Sequence, residues 1–121
     1  ADARDGFTLA AAGFNGAYAL KIAKAGGPRG ALALAQVAQA AGIGLYGGTL
    51  LEGTIGTAAS LHAWATLPEL AWGSEMFGPL LLKEDIVAEP LAYGEFGVAL
   101  PTGPGLGIAL DEDKLAHFTR K

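Results

Sequence analysis

An α/β fold with parallel strands is what this 121-residue sequence predicts, on three observations. Short β-prone runs alternate with apolar helical runs in the order β-α-β-α-β. The runs that join successive strands are long enough for helical crossovers rather than hairpins. Glycine and proline stand at the joints, in "GGPRG", at Gly42, in "GGT" and at Pro68.

The first strand is expected over 18–23, "YALKIA". "GGPRG" breaks it, and Pro28 suits the first turn of a helix because its missing N–H has no intrahelical partner there. "RGALALAQVAQAA" carries Arg29, Gln36 and Gln39 as a thin polar stripe on an otherwise apolar surface, the pattern of a helix lying on a sheet. Gly42 closes that helix, and 43–46 form the second strand. After the loop "GGT", "TIGTAASLHAWATL" reads as a nearly all-apolar helix over 54–67, stopped by Pro68. The third strand is expected over 70–75, "LAWGSE". Beyond "FGPLLL" the chain turns rich in Gly and Pro with short β-prone pieces, which reads as an irregular hairpin region outside the parallel sheet. Asp111 is placed to cap a terminal helix in "EDKLAHFTR".

Composition narrows the class. Hydrophobic residues make up 51% and charged residues 17%, with mean hydropathy +0.36. A free-standing soluble domain carries about 25% charge, so the chain reads either as membrane-inserted or as a piece of a larger body that covers it. No stretch of about 20 residues is free of polar, Gly or Pro interruption, which argues against a membrane span. The start, "ADARDGFTL", has neither an initiator Met nor a basic leader, and reads as the interior of a longer chain. A net charge of −4 without a basic patch argues against nucleic acid as a partner. There is no Cys, hence no disulfide or thiolate chemistry, which fits a cytoplasmic setting. His62 and His117 lack ligand spacing and read as packing or surface residues.

Strand alternation locates the candidate chemistry. In the first strand Ala17, Ala19, Lys21 and Ala23 share one face, while Tyr18, Leu20 and Ile22 share the face expected under the helices. The middle strand sets Gly42, Gly44 and Tyr46 opposite Ile43 and Leu45. The third sets Ala71, Gly73 and Glu75 opposite Leu70, Trp72 and Ser74. Small residues followed by a charged group thus occur at the ends of two strands. In parallel α/β barrels catalytic groups sit at the C-terminal ends of strands, and small neighbours leave space for a substrate. Lys21 and Glu75 are the candidates for acid–base work there. The pattern alone leaves a second reading open, with Lys21 a solvated edge lysine and Glu75 a turn cap. Lys24 and Lys83 read as solvated, and Glu52, Asp85, Glu89 and the run 111–113 as solvated or capping groups. "GPGLG" is no phosphate loop, because no strand-to-helix turn surrounds it.

Four stretches, "ALKIAKAGGPR", "AAGIGLYGGTLLEGTIGTAASLHA", "GSEMFGPLLL" and "PTGPGLGIALDEDKLAHF", resemble in order and spacing the C-terminal part of the muconate cycloisomerases, the muconate-lactonising family of the enolase superfamily. The likeness runs over roughly 17–121. It implies strands six to eight of a (β/α)7β barrel over 1–82 and, over 83–121, a C-terminal return that packs with a capping domain. It implies an isomerase that interconverts cis,cis-muconate, or a chloromuconate, and muconolactone in aromatic catabolism. Lys21 matches the family's strand-six lysine and Glu75 its strand-eight acid. Gly48, Thr49 and Phe77 match positions that shape the substrate pocket. The family's Mn²⁺ or Mg²⁺, which stabilises an enolate, is held by carboxylates expected before residue 1, so no metal ligand is assigned in this chain. Partners implied are a small dicarboxylate, the rest of the barrel and cap, and further copies in a homo-oligomer. Two alternatives stand beside this reading. One is a dipeptide epimerase, although "SEMF" carries one acid where that class commonly has Asp-x-Asp. The other is a non-catalytic piece that serves only assembly.

Overall fold

A computed structural model describes residues 2–119. Helix α1 (Ala3–Ala11) begins with a reciprocal cap. Asp2 accepts from the Arg4 and Asp5 amides, and the Asp5 carboxylate accepts from the Asp2 amide. Strand β1 (Ala17–Leu20) leads through a turn to α2 (Pro28–Ala40), then β2 (Gly44–Gly47) and α3 (Thr54–Trp64). A 3-10 turn (Gly78–Leu81) follows, then an irregular return, and α4 (Glu112–Phe118) closes the order.

Strands β1 and β2 pair in parallel, Ala17 opposite Gly44 and Leu20 opposite Gly47, joined by the α2 crossover as expected. Tyr18, Leu20 and Ile22 from the first strand region, with Ile43 and Leu45 from the second, pack on Ala31, Leu34, Ala35 and Ala38 of α2. The small alanines of α2 let the helix lie close on the sheet. Ala19 is exposed and Ala17 and Lys21 are half-buried, so the other face of β1 is open. Helix α1 packs beside α2, and the buried Tyr18 hydroxyl donates to the Gly6 carbonyl at 2.7 Å.

Several elements differ from the sequence reading. Strand β1 ends at Leu20, because 22–26 wind into a turn in which the Lys21 carbonyl accepts from the Lys24 and Ala25 amides, both at 3.1 Å. Helix α3 stops at Trp64 rather than 67. The Thr66 hydroxyl bonds the Ala63 carbonyl at 2.7 Å, and Pro68 disfavours helical geometry at Leu67. The third strand contracts to one parallel bridge, Ser74 to Gly47. Gly73 at φ +71 interrupts it, so the alternation expected over 70–75 fails and Trp72 is 67% exposed with its indole against Gly44. The segment still runs along β2, with the Gly47 amide donating to the Gly73 carbonyl and the Glu75 amide to the Gly47 carbonyl, each 2.9 Å. Helix α1 was not anticipated at all.

The return beyond the 3-10 turn is irregular, as expected. It carries antiparallel bridges from Val87 to Leu110 and from Tyr93 to Val98. Asp85 from this return caps α3, accepting from the Thr54 amide at 2.7 Å. Asp111 caps α4, accepting from the Lys114 amide at 3.0 Å. His62 bonds the Leu106 carbonyl, a packing role. No helix among the described residues is long and apolar enough to cross a membrane.

Candidate active site

Parallel pairing puts the C-terminal ends of β1, β2 and the Ser74 bridge at one rim, and the chain leaving β2 there, 48–53, forms its floor. The ladder extends one bond past the strands, from the Gly48 amide to the Leu20 carbonyl at 2.9 Å. Lys21, the next residue on β1's side, lays its stem over Gly48. A Cβ on Gly48 would stand 2.9 Å from Lys21 Cε and 3.2 Å from Lys21 Cγ. Only a residue without a side chain leaves that path open.

From the other side Glu75 reaches the same loop, its Oε1 accepting from the Thr49 amide at 3.4 Å. The Tyr46 phenol feels the same carboxylate. Burial first, then the interaction with Glu75, push it above its ordinary pKa. Thr49 is buried, with 7% exposure. Its hydroxyl donates to Glu52 Oε2, which also accepts from the Leu50 amide at 2.8 Å, while the Leu51 amide donates back to Thr49 Oγ1 at 2.9 Å. The loop is thus wound around one carboxylate. The winding places Leu51 at φ +63, in the left-handed region that a branched side chain rarely adopts.

Lys21, Gly48, Thr49 and Glu75, four of the five predicted site residues, therefore form one chain of contacts. Phe77 follows Glu75 by two residues, at the head of the 3-10 turn, with its ring 40% exposed. It is tied to the others by sequence neighbourhood and not by a bond.

Two residues belong to this site that the sequence reading left outside it. Tyr46 was recognised as sharing the small-residue face of β2, and alternation alone aims it at Glu75. Glu52 was grouped with solvated or capping acids. It does brace a turn, but it is half-buried, and its Oε1 is buried without a hydrogen-bond partner among the described residues. Burial pushes its carboxyl pKa up. The hydrogen bonds from Thr49 and the backbone, with the Lys21 charge, outweigh that and hold it below the ordinary value.

Among the described residues no three His, Asp or Glu side chains converge as a metal ion requires. The two carboxylates nearest each other at this rim already spend an oxygen each on Thr49. These residues do not make a metal centre. They gather the Lys21 stem and the Glu52 and Glu75 carboxylates around the Gly48–Thr49 backbone.

Residues 2–114 match the family model described as enolase C-terminal domain-like. The chain is 60% identical over 117 residues to muconate cycloisomerase 1 of Pseudomonas putida, covering 97% of this chain and 31% of that protein, and aligns with the C-terminal part. It is 48% identical over 104 residues to a chloromuconate cycloisomerase of Cupriavidus necator, covering 86% and 28%. The crystal structure of a muconate lactonizing enzyme from Klebsiella pneumoniae superposes with a TM-score of 0.97 at 71% identity, over 100% of this chain and 34% of that one. The chain thus spans about a third of the length of the relatives it matches. With an α/β core of the same shape and the family model covering nearly all of it, the chain belongs to the enolase C-terminal domain-like family.

Proposed function

We propose that this chain is the C-terminal portion, about strands six to eight with the return to the cap, of a cycloisomerase that interconverts cis,cis-muconate or a chloromuconate and muconolactone. The carrying observation is the convergence of Lys21 and Glu75 on Gly48–Thr49 at one rim, in a chain this similar to muconate cycloisomerases. On this reading 1–82 belong to the barrel and 83–121 pack with the cap. Asp85 reaching back to cap α3 gives that return a fixed seat.

The reaction in the ring-opening direction removes a proton from the carbon next to a carboxylate and breaks the ring C–O bond. Negative charge gathers on the carboxylate as an enolate. The Lys21 ammonium stabilises that charge or moves the proton on one face. Glu75, held by the Thr49 amide, serves as proton donor or as the group that positions Lys21. The Thr49 and Gly48 backbone and the Phe77 ring bound the substrate. The family's divalent ion, Mn²⁺ or Mg²⁺, supplies Lewis-acid stabilisation of the enolate; its ligands would lie outside residues 2–119.

Exposed large apolar groups support the part-of-a-barrel reading. Trp72 is 67% exposed, Leu80 62%, Leu81 60% and Phe96 94%, surface that the remaining barrel and cap would cover. Homo-oligomeric assembly and a cytoplasmic setting accompany this reading. The single acid in "SEMF" favours a cycloisomerase over a dipeptide epimerase. The test is the full-length protein assayed with cis,cis-muconate, with and without Mn²⁺. Lys21→Ala and Glu75→Gln are expected to lower kcat by about a hundredfold or more with the fold retained. Near-normal rates in both variants would return the two residues to the solvated-lysine and turn-cap reading.

A further inference from the structure

Among the described residues, a buried acceptor without a donor and a lysine without an acceptor meet the same loop, 48–53. Glu52 Oε2 is fixed by the Thr49 hydroxyl and the Leu50 amide, while Oε1 is buried and has no partner among the described residues. A buried carboxylate oxygen left in that state is costly and calls for a donor. Lys21 carries its Cε across Gly48, the residue before Thr49, and among the described residues its ammonium makes no hydrogen bond or ion pair. A lysine stem is flexible, and a rotation of its last bonds moves the ammonium by several ångströms. We propose that Glu52 is a positioning residue for the proposed reaction: its free oxygen Oε1 receives the Lys21 ammonium once the last bonds of the lysine rotate, and keeps that amine at the rim.

Glu75 and Tyr46 are the other titratable groups facing this place from β2 and the Ser74 segment. Glu75 Oε1 is engaged by the Thr49 amide, whereas Glu52 Oε1 is buried with no partner among the described residues. Lys24 lies in the turn beyond β1 and is exposed. Of the cations, it is Lys21 whose attraction reaches Glu52 and helps hold it ionised. The strained Leu51 backbone fits this picture, because the loop must wind tightly to bring Glu52 back under Thr49.

The inference rests on Lys21 being the amine that acts in the proposed reaction, but its test does not need that reaction. In the full-length protein, amine-reactive labelling of Lys21 is followed by peptide mass spectrometry in wild type and in Glu52→Gln. Gln keeps a carbonyl to accept from Thr49 and Leu50, so a mere turn brace would survive the change and labelling would stay level. Loss of the ion pair should raise Lys21 labelling by about threefold or more, with kcat lowered more than KM is raised. Glu52→Asp should restore part of the protection. Level labelling in Glu52→Gln overturns the proposal whatever the activity. Raised labelling in a protein that never turns over muconate supports the positioning role and overturns the assigned reaction instead. Should Glu52→Gln not fold, Glu52→Ser, which keeps a short polar group but no carboxylate, must likewise raise Lys21 labelling for the proposal to stand.

Discussion

Gly48→Ala separates the path of Lys21 from the stability of the fold. The added carbon would stand 2.9 Å from Lys21 Cε, and 3.2 Å from both Lys21 Cγ and the Leu20 carbonyl oxygen. Carbon pairs are at their best near 3.5–4.0 Å, so the overlap with Cε is about 0.6–1 Å. Gly48 is not among the residues with positive φ, so an alanine there brings no backbone strain. The closest atom belongs to the far end of a flexible side chain, which can move aside. The carbonyl contact is tighter than ordinary but not impossible. The fold should therefore lose only about 1 kcal/mol, while the ammonium is displaced by about 1 Å. A displacement of that size at a reacting group costs on the order of a hundredfold in rate. Urea unfolding and steady-state kinetics with muconate on the full-length protein read the two effects separately. A variant with kcat within twofold of wild type would refute the claim that the Gly48 gap sets the position of Lys21. So would an unfolding midpoint that collapses in step with the activity.

Two further substitutions test the frame around the site. Asp85→Asn weakens the cap on α3 and should cost about 1 kcal/mol in chemical denaturation. Burial pushes the Asp85 carboxyl up, but bonds from Thr54 and Ile86 and the Lys114 charge prevail and hold it lowered. Its contribution is therefore present above the ordinary carboxyl pKa and lost as pH falls through the lowered folded value, so the Asn variant should show a flatter acid limb of stability. Leu51→Gly removes an unfavourable left-handed backbone at φ +63 from a side chain that is 54% exposed. It should raise stability by about 0.5 kcal/mol, and a loss in the denaturation midpoint would show that the Leu51 side chain packs more than its exposure implies.

The faces of the strands were legible because alternation is a local rule. Tyr18, Leu20, Ile22, Ile43 and Leu45 are all buried, and the small residues lie on the open side. The caps at Asp111 and the crossover helices were legible for the same reason. Strand ends were not, because they depend on competition. Residues 22–25, "IAKA", extend a strand on apolar pattern but are also competent in a helical turn, and the Lys21 carbonyl settles the matter by accepting two amides. The third strand failed at Gly73, whose freedom of φ sequence cannot assign in advance. Helix α1 had a signal that went unused, the Asp-x-x-Asp spacing of its cap at Asp2 and Asp5.

Glu52 marks the deeper limit. Its neighbours in sequence, a leucine pair before and a glycine after, are those of a surface loop, and an acid just ahead of a helix is the ordinary cap. What removes it from that class is the route of the chain. Thr49 turns its hydroxyl onto Glu52 while its amide points at Glu75, so a single threonine ties two carboxylates that are 23 residues apart to one side of Lys21. Neither period-two alternation nor helical spacing links those positions, since one lies before α3 and the other after it. The link exists only because both ends of the β2–α3 excursion return to the same rim. Topology brings both carboxylates to the loop that the Lys21 stem crosses, a convergence that neither strand nor loop holds alone.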